Sequence, residues 1–124
     1  MELSKTVKLA QKLVRIESVT PNDNGCQELV KDIIKPLGFT CYTVEENGVT
    51  NLFLGHTDVV PTGDPKTWEH DPYCGEIFEY DGVPYLYGRG SADMKGGDAA
   101  MICAMCDYVE QHQNHRGTIA LLLT

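Results

Sequence analysis

The chain has 124 residues, of which 42% are apolar and 23% are charged, and its formal net charge at pH 7 is −8. This length suits one small domain or part of a larger one. Acidic residues outnumber basic residues by 18 to 10, and the basic residues are scattered along the sequence. The charge pattern therefore disfavours nucleic acid and anionic membrane surfaces as partners.

The N-terminal residues, MELSKTVKLAQKLV, place acidic residues and lysines among the apolar ones. They lack the unbroken apolar run of a signal peptide or a membrane span, so we expect a cytoplasmic protein. The five cysteines are an odd number in unrelated contexts, which favours reduced thiols over disulfides. Cys103 and Cys106 form a C-x-x-C inside a predicted helix, where buried thiols are favoured over a zinc or redox pair.

Two helices are predicted in the first third of the chain. Apolar side chains recur at helical spacing over residues 3–17, which predicts a helix with one face on the core. Pro21 and the polar residues 22–24 then predict the turn and the cap of a second helix. The expected buried face of that helix is Cys26, Leu29, Val30, Ile33 and Ile34. Pro36 and Gly38 end it.

Strands are predicted in the middle of the chain. Residues 39–48 alternate in polarity, and residues 50–60, TNLFLGHTDVV, form a nearly continuous apolar run. Such a run is typical of a strand covered on both faces. Residues 75–90 predict a hairpin that turns at Asp81-Gly82.

The last part of the chain predicts a helix and a final strand. The helix covers about residues 95–113, with Met101, Ile102, Met105 and Val109 on one side. Residues 118–124, TIALLLT, are expected to form a buried strand. Alternating helices and buried strands predict an α/β fold in which helices sandwich a mostly parallel or mixed sheet.

The sequence GHTD, residues 55–58, places two polar side chains at the end of the apolar run. Ligands of α/β sheets bind at such strand ends. Because residues two apart in a strand face the same way, His56 and Asp58 point together. The imidazole of His56 can bind a cation through one nitrogen while the carboxylate of Asp58 accepts a hydrogen bond from its other N–H. An ordinary polar strand end remains the alternative.

A second polar segment, YGRGSADMKGG at residues 87–97, leads into the predicted third helix. It places Asp93 where the backbone changes direction. A simple helix cap is the alternative, because acidic residues are favoured in a first helical turn. The four glycines permit positive φ and close backbone approach, which a packed site requires more than a cap does.

Together, residues 55–73 and 85–97 resemble the two N-terminal signature segments of the M20 family of metal-dependent amidohydrolases and peptidases. The resemblance implies that this chain is the N-terminal part of a zinc-peptidase-like catalytic domain. It implies His56 as a ligand of one zinc, Asp93 as the carboxylate that bridges two zincs, and Asp58 as the catalytic partner of His56. Cobalt is the alternative metal. The resemblance also implies a cis peptide bond after Asp93.

Residues 18–27 and the VVPTGD...W spacing most resemble the family members that act in lysine and diaminopimelate biosynthesis. Those members hydrolyse the N-succinyl amide of N-succinyl-LL-2,6-diaminopimelate, and the resemblance implies this small molecule as the substrate. Two alternatives stay open. In the first, the chain belongs to another N-acyl amino acid deacylase or peptidase, such as one acting on acetylornithine. In the second, it is a catalytically incomplete metal-binding or interaction module. The residues that bind substrate are unknown at this stage.

The sequence also departs from the family pattern. In the family, the last strand leads into a Ser-Asp-Glu-Glu-Gly type segment that holds the general base, whereas this chain stops at Thr124. We therefore expect residues 1–124 to be a partial catalytic domain with no second domain, inactive in isolation and without the dimerisation domain of the homodimeric family. A turn between two strands is missing at Phe53-Leu54. His112 and His115 are assigned to a helix end rather than to a shared cation, and His70 to a loop.

Overall fold

The computed structural model describes residues 2–42, 55–116 and 118–124. The elements in chain order are helix α1 (Lys5–Val14), helix α2 (Cys26–Ile34), strand β1 (Ile77–Tyr80), strand β2 (Val83–Leu86) and helix α3 (Gly96–Gln111). Short helical turns occur at Lys35–Leu37, Pro65–Thr67 and Ser91–Lys95. Most of the predicted strand 39–48, the first part of the predicted strand 50–60, and the departure at Phe53-Leu54 lie outside the described residues.

Helix α1 begins at a serine cap and packs its apolar face on the core. The Ser4 hydroxyl accepts a hydrogen bond of 3.2 Å from the Val7 N–H, which satisfies one of the free donors of the first turn. The buried side chains are Leu9, Ala10, Leu13 and Val14. The helix is shorter than the predicted 3–17 because the chain leaves helical geometry to bring Val19 beside Val59.

Helix α2 is capped by the polar turn that the sequence predicts. The Asp23 carboxylate accepts hydrogen bonds from the N–H groups of Gly25 and Gln27, at 3.1 and 3.0 Å. Its other polar contact is the Thr57 hydroxyl, which donates at 2.8 Å. The predicted inward face is confirmed, with Cys26, Val30 and Ile34 buried and Leu29 and Ile33 partly buried against the same cluster. Asp23 thus ties the start of α2 to the segment that carries GHTD.

Residues 55–59 lie between two parallel neighbours. On one side, the Val59 N–H donates to the Ser18 carbonyl at 2.8 Å, and the Thr20 N–H donates to the Val59 carbonyl at 3.1 Å. On the other side, the Thr57 N–H donates to the Thr124 carbonyl at 2.8 Å. The bridges Val19–Val59 and Gly55–Leu123 are both parallel. The described residues therefore show parallel pairing as isolated bridges, together with one antiparallel hairpin.

The final segment differs from its predicted form. Residues 118–124 bridge the chain at Leu123, but none of them is fully buried. Leu121 and Leu123 are only partly buried against the core. The prediction of a buried strand is wrong in this respect, because within the described residues only the edge formed by Gly55 and Thr57 pairs with it.

The hairpin is confirmed at its predicted turn. Strand β1 pairs antiparallel with β2, from Ile77 opposite Leu86 to Tyr80 opposite Val83. Asp81 and Gly82 have φ values of 51° and 76°. Positive φ at both central residues is what a tight hairpin turn requires, and Asp-Gly is a favoured pair for it.

Helix α3 covers Gly96–Gln111, close to the predicted 95–113, and packs against α1. Ala99 and Ile102 are fully buried. Cys103 and Cys106 are partly buried against the core, and all five cysteines are free thiols. No helix in the described ranges is long and apolar enough to cross a membrane.

A buried ammonium group joins α1 to the start of α3. Lys95 is 0% exposed, and its Nζ donates to the carbonyls of Leu13 and Ile16 at 2.9 and 2.8 Å. Burial lowers the pKa of Lys95, while nearby groups that include the carboxylates of Asp23 and Asp98 act in the opposite direction. The C-terminal end of a helix carries partial negative charge, so a cation is favoured there.

We predict that Lys95→Met lowers the free energy of unfolding by about 2 kcal/mol, because the apolar stem is retained while the charged donor to two carbonyls is lost. Urea denaturation followed by circular dichroism measures the change. Lys8→Met, which removes an exposed lysine of α1, is the matched control and should change stability by less than about 0.5 kcal/mol. Equal effects of the two substitutions would contradict a role for the buried ammonium.

Candidate metal site

His56 and Asp93 meet at the edge of a cavity. The parallel segment 55–59 carries His56, and the turn that precedes α3 carries Asp93. The imidazole Nε2 lies 3.2 Å from Asp93 Oδ1. The cavity has a volume of about 590 Å³ and is lined by Thr20, His56, Asp58, Val59, Val60, Gly88, Arg89, Gly90, Ser91, Ala92, Asp93 and Thr124. The structure thus places all three predicted site residues around one space.

The other imidazole nitrogen is held by Asp58. His56 Nδ1 lies 3.0 Å from the Asp58 carbonyl oxygen and 3.3 Å from its carboxylate. The Thr20 hydroxyl in turn donates a short hydrogen bond to the Asp58 carboxylate. With Nδ1 donating to Asp58, the ring presents Nε2 to the cavity, which is the tautomer that a metal-bound histidine needs.

The spacing of the two candidate ligand atoms suits a zinc ion. Two ligands bound to a tetrahedral zinc at 2.0–2.1 Å are about 3.3 Å apart. The observed separation between His56 Nε2 and Asp93 Oδ1 is 3.2 Å. The side chain of Asp93 is 90% exposed, so its second oxygen remains open to the cavity. In the described part of the chain, no group of three or more His, Cys, Asp or Glu side chains is placed to hold a metal ion.

The charges around His56 favour its protonated form. Partial burial lowers the pKa of His56, but the hydrogen bond to the Asp58 carbonyl and the carboxylates of Asp93 and Asp58 outweigh it. The net effect is a pKa above the usual value. In the protonated form, the proton on Nε2 occupies the position where a cation would bind, and binding of a metal ion would release it.

The glycines of the second polar segment allow the close contacts that their number predicts. Gly88 has a φ of 147°, and a Cβ there would lie 2.4 Å from a methyl group of Val14. Gly90 has a φ of 81°, and a Cβ there would lie 2.5 Å from a methyl group of Val59. The peptide bond Asp93-Met94 is cis, as the family resemblance implies.

The remaining histidines lie away from this cavity. His112 and His115 stack on or abut the ring of Tyr108 near the end of α3, as expected for a helix end. His70 stacks on Phe78 at 3.7 Å between ring centroids and therefore belongs to an aromatic cluster. A second, largely apolar cavity of about 670 Å³ lies between α2 and residues 118–123, and it includes none of the predicted site residues.

The sequence interpretation missed a buried carboxyl group behind His56. Asp98 is 0% exposed, and neither of its oxygens has a hydrogen-bond partner in the described structure. Burial raises the pKa of Asp98 from 3.8 to about 6, against the opposing effects of His56 and Lys95. A Cβ on Gly55 would lie 2.1 Å from Asp98 Oδ1, so the glycine of GHTD makes room for this carboxyl group. The sequence signal for Asp98 was its position as an acidic residue in the first turn of α3.

Comparisons with known proteins give the family context of these residues. Residues 52–124 match the sequence profile described as peptidase family M20/M25/M40. The chain is 48% identical to a succinyl-diaminopimelate desuccinylase of Marinobacter nauticus over 136 residues, which cover 100% of this chain. It is 45% identical to the desuccinylase of Hydrogenovibrio crunogenus over 134 residues, which cover 98% of this chain. In both cases it spans 35% of the relative's length, about a third.

We predict that Asp98 makes stability fall as pH rises through the interval from 3.8 to about 6. The folded-state pKa is raised, so the folded protein binds the proton more tightly, and the penalty is complete above pH 6. The shift corresponds to roughly 3 kcal/mol, which Asp98→Asn should remove from the pH dependence. Urea denaturation between pH 3.5 and 7.5 in the presence of a chelator measures it. Asp32→Asn, on the exposed side of α2, makes the same change in charge away from Asp98 and is the matched control.

We predict that Gly55→Ala lowers the free energy of unfolding by about 1–3 kcal/mol, because the new methyl group overlaps Asp98 Oδ1. The contact can be tested by a double-mutant cycle. In an Asp98→Ala background the same substitution should cost less than half as much. A cost that is identical in both backgrounds would show that the methyl group does not meet Asp98.

Proposed function

Because this chain belongs to peptidase family M20/M25/M40, we propose that it forms the first part of the metal centre of a zinc-dependent amidohydrolase. The observation that carries the proposal is the 3.2 Å separation of His56 Nε2 and Asp93 Oδ1 at one cavity. In this proposal His56 and Asp93 are metal ligands. The complete site holds two zinc ions, with cobalt as the alternative metal.

The proposed substrate is N-succinyl-LL-2,6-diaminopimelate, hydrolysed to succinate and LL-2,6-diaminopimelate in lysine biosynthesis. Five relatives named succinyl-diaminopimelate desuccinylase, at 43–48% identity, support this choice over other N-acyl amino acids such as acetylornithine. The proposal includes an α/β domain whose sheet is sandwiched by helices, of which residues 1–124 are a part. It also includes a cytoplasmic location, and a homodimeric state for the complete family member.

The described residues account for part of this chemistry. When bound, zinc polarises the scissile carbonyl and lowers the pKa of a water molecule towards neutrality. Asp58 fixes the imidazole of His56 through Nδ1, and Thr20 fixes the carboxylate of Asp58. This chain of contacts directs the Nε2 lone pair of His56 to the cavity. Asp93 offers one oxygen beside His56 and an exposed second oxygen, which suits a bridging role.

A second candidate function is a metal-binding or interaction module without catalysis. It is favoured by one observation, namely that the described residues place two adjacent candidate ligand atoms, His56 Nε2 and Asp93 Oδ1, at the cavity. The two candidates differ in zinc stoichiometry and in turnover. In both of them, His56 and Asp93 bind the ion.

We predict that His56→Ala and Asp93→Asn each weaken zinc binding by at least tenfold, because each removes one of two adjacent ligands. Asp58→Asn should weaken it by roughly 10- to 100-fold, since Asp58 fixes the imidazole. Competition with a chromophoric chelator at pH 7.5 measures the dissociation constants. His112→Ala, at the end of α3, is the matched control and should leave zinc affinity unchanged.

Mass spectrometry under native conditions and an assay of succinyl-diaminopimelate separate the two candidates. Two tightly held zinc ions per chain would indicate a complete site, whereas one weakly held zinc without turnover, which is our expectation for the purified monomeric chain, indicates a catalytically incomplete one. Turnover that depends on His56 would establish the enzyme and contradict the expected inactivity. Zinc binding that survives both His56→Ala and Asp93→Asn would contradict the proposed site.

A further inference from the structure

Arg89 brings a cation to the wall of the candidate metal site. It lines the same cavity as His56, Asp58 and Asp93. Its N–H donates to the Pro72 carbonyl at 2.7 Å, which fixes the backbone at this point. A cavity lined by two acidic residues and one arginine can bind a cation at one end and an anion at the other.

The guanidinium of Arg89 is already positioned. Its central carbon lies 5.0 Å from the centre of the Trp68 ring, within the range of a cation–π contact. The indole N–H of Trp68 donates to the Thr62 carbonyl at 3.1 Å, and Tyr87 packs edge-on at 5.9 Å between ring centroids. Holding the side chain in place before a ligand arrives reduces the entropy lost on binding.

Among the described residues, the same guanidinium has no anionic partner. Its Nε is buried and has no hydrogen-bond partner, and Arg89 forms no ion pair within the described ranges. Arg15, in contrast, uses its Nε to donate to the Cys74 carbonyl at 2.9 Å. A buried donor without a partner is costly, so its presence beside a ligand cavity points to a ligand that satisfies it.

We propose that Arg89 binds a carboxylate group of the N-acyl amino acid substrate; this inference rests on the proposed function. A planar guanidinium forms paired hydrogen bonds with a carboxylate and is favoured for that purpose over lysine. The formal net charge of −8 repels anions in general, so an anion that binds here requires a local cation. Arg89 therefore selects substrates that carry a carboxylate in addition to the amide.

The test uses the metal-free chain, succinate as the probe and succinamide as its neutral counterpart. Succinate binding, followed by NMR, should shift the Nε–H resonance of Arg89, whereas succinamide should not. Arg89→Gln should raise the dissociation constant for succinate at least tenfold. Arg116→Gln makes the same change in charge at an exposed position outside the cavity and should not alter it.

A second probe separates the two carboxylate sources. N-acetylglycine presents the amino acid carboxylate, and succinate presents that of the acyl group. The probe whose affinity depends more strongly on Arg89 identifies the group that Arg89 recognises, and a tenfold dependence with either probe supports the proposal. Equal dissociation constants for Arg89→Gln and the unsubstituted chain with both probes would overturn it.

Two further readouts keep the outcome clear. If Arg89→Gln does not fold, the Nε–H resonance of the unsubstituted chain decides, and an unmoved resonance at saturating succinate overturns the proposal. The zinc titration of His56 and Asp93 variants is independent of this experiment. Normal zinc binding with no Arg89 dependence would refute only the present inference, whereas Arg89-dependent binding without zinc affinity would refute only the proposed metal centre.

Discussion

The buried ammonium group of Lys95 is the interaction on which the arrangement of the site depends. It binds the carbonyls of Leu13 and Ile16 at the end of α1, while its own backbone lies at the start of α3, two residues after Asp93. A lysine without exposure must have its donors satisfied, and helix-end carbonyls satisfy them without a counter-charge from a side chain. The side chain therefore fixes where α3 begins relative to α1. The position of the Asp93 carboxylate at the cavity follows from that connection.

The second constraint is the pairing of residues 55–59 on both sides. Ser18 and Thr20 pair with Val59, and Thr57 pairs with Thr124, so the short segment is held by backbone hydrogen bonds at both edges. Because neighbouring residues of an extended segment face opposite ways, this pairing directs Thr57 inward to Asp23 and leaves His56 and Asp58 on the cavity side. Packing within the core thus decides the orientation of the polar pair.

The sequence predicts those features that follow from a local pattern of residues. Short-range geometry predicts the shared direction of His56 and Asp58 in an extended run, the glycines around Asp93, the helical periodicity and the Asp81-Gly82 turn. The structure brings His56, Asp58 and Asp93 together at one cavity. The sequence does not predict the roles of Lys95, Asp98 or Arg89, because their significance lies in contacts with distant residues. A lysine in a polar loop resembles a solvated lysine until the carbonyls of α1 are placed beside it. The final segment was expected to be buried, but burial requires neighbours that its own sequence does not specify.

The charges around the cavity form one connected system. Lys95 and Asp98 lie buried behind it, and Asp58 and Asp93 flank His56. Viewed from Nε2 of His56, the two carboxylates create a negative potential that a proton satisfies when no metal ion is present. Together with the hydrogen bond to the Asp58 carbonyl, that potential raises the pKa of His56, and it is also the reason for a cation to bind. The proton affinity and the metal affinity of Nε2 therefore have the same physical origin. A substitution of Asp58 or Asp93 that lowers the proton affinity must also lower the metal affinity.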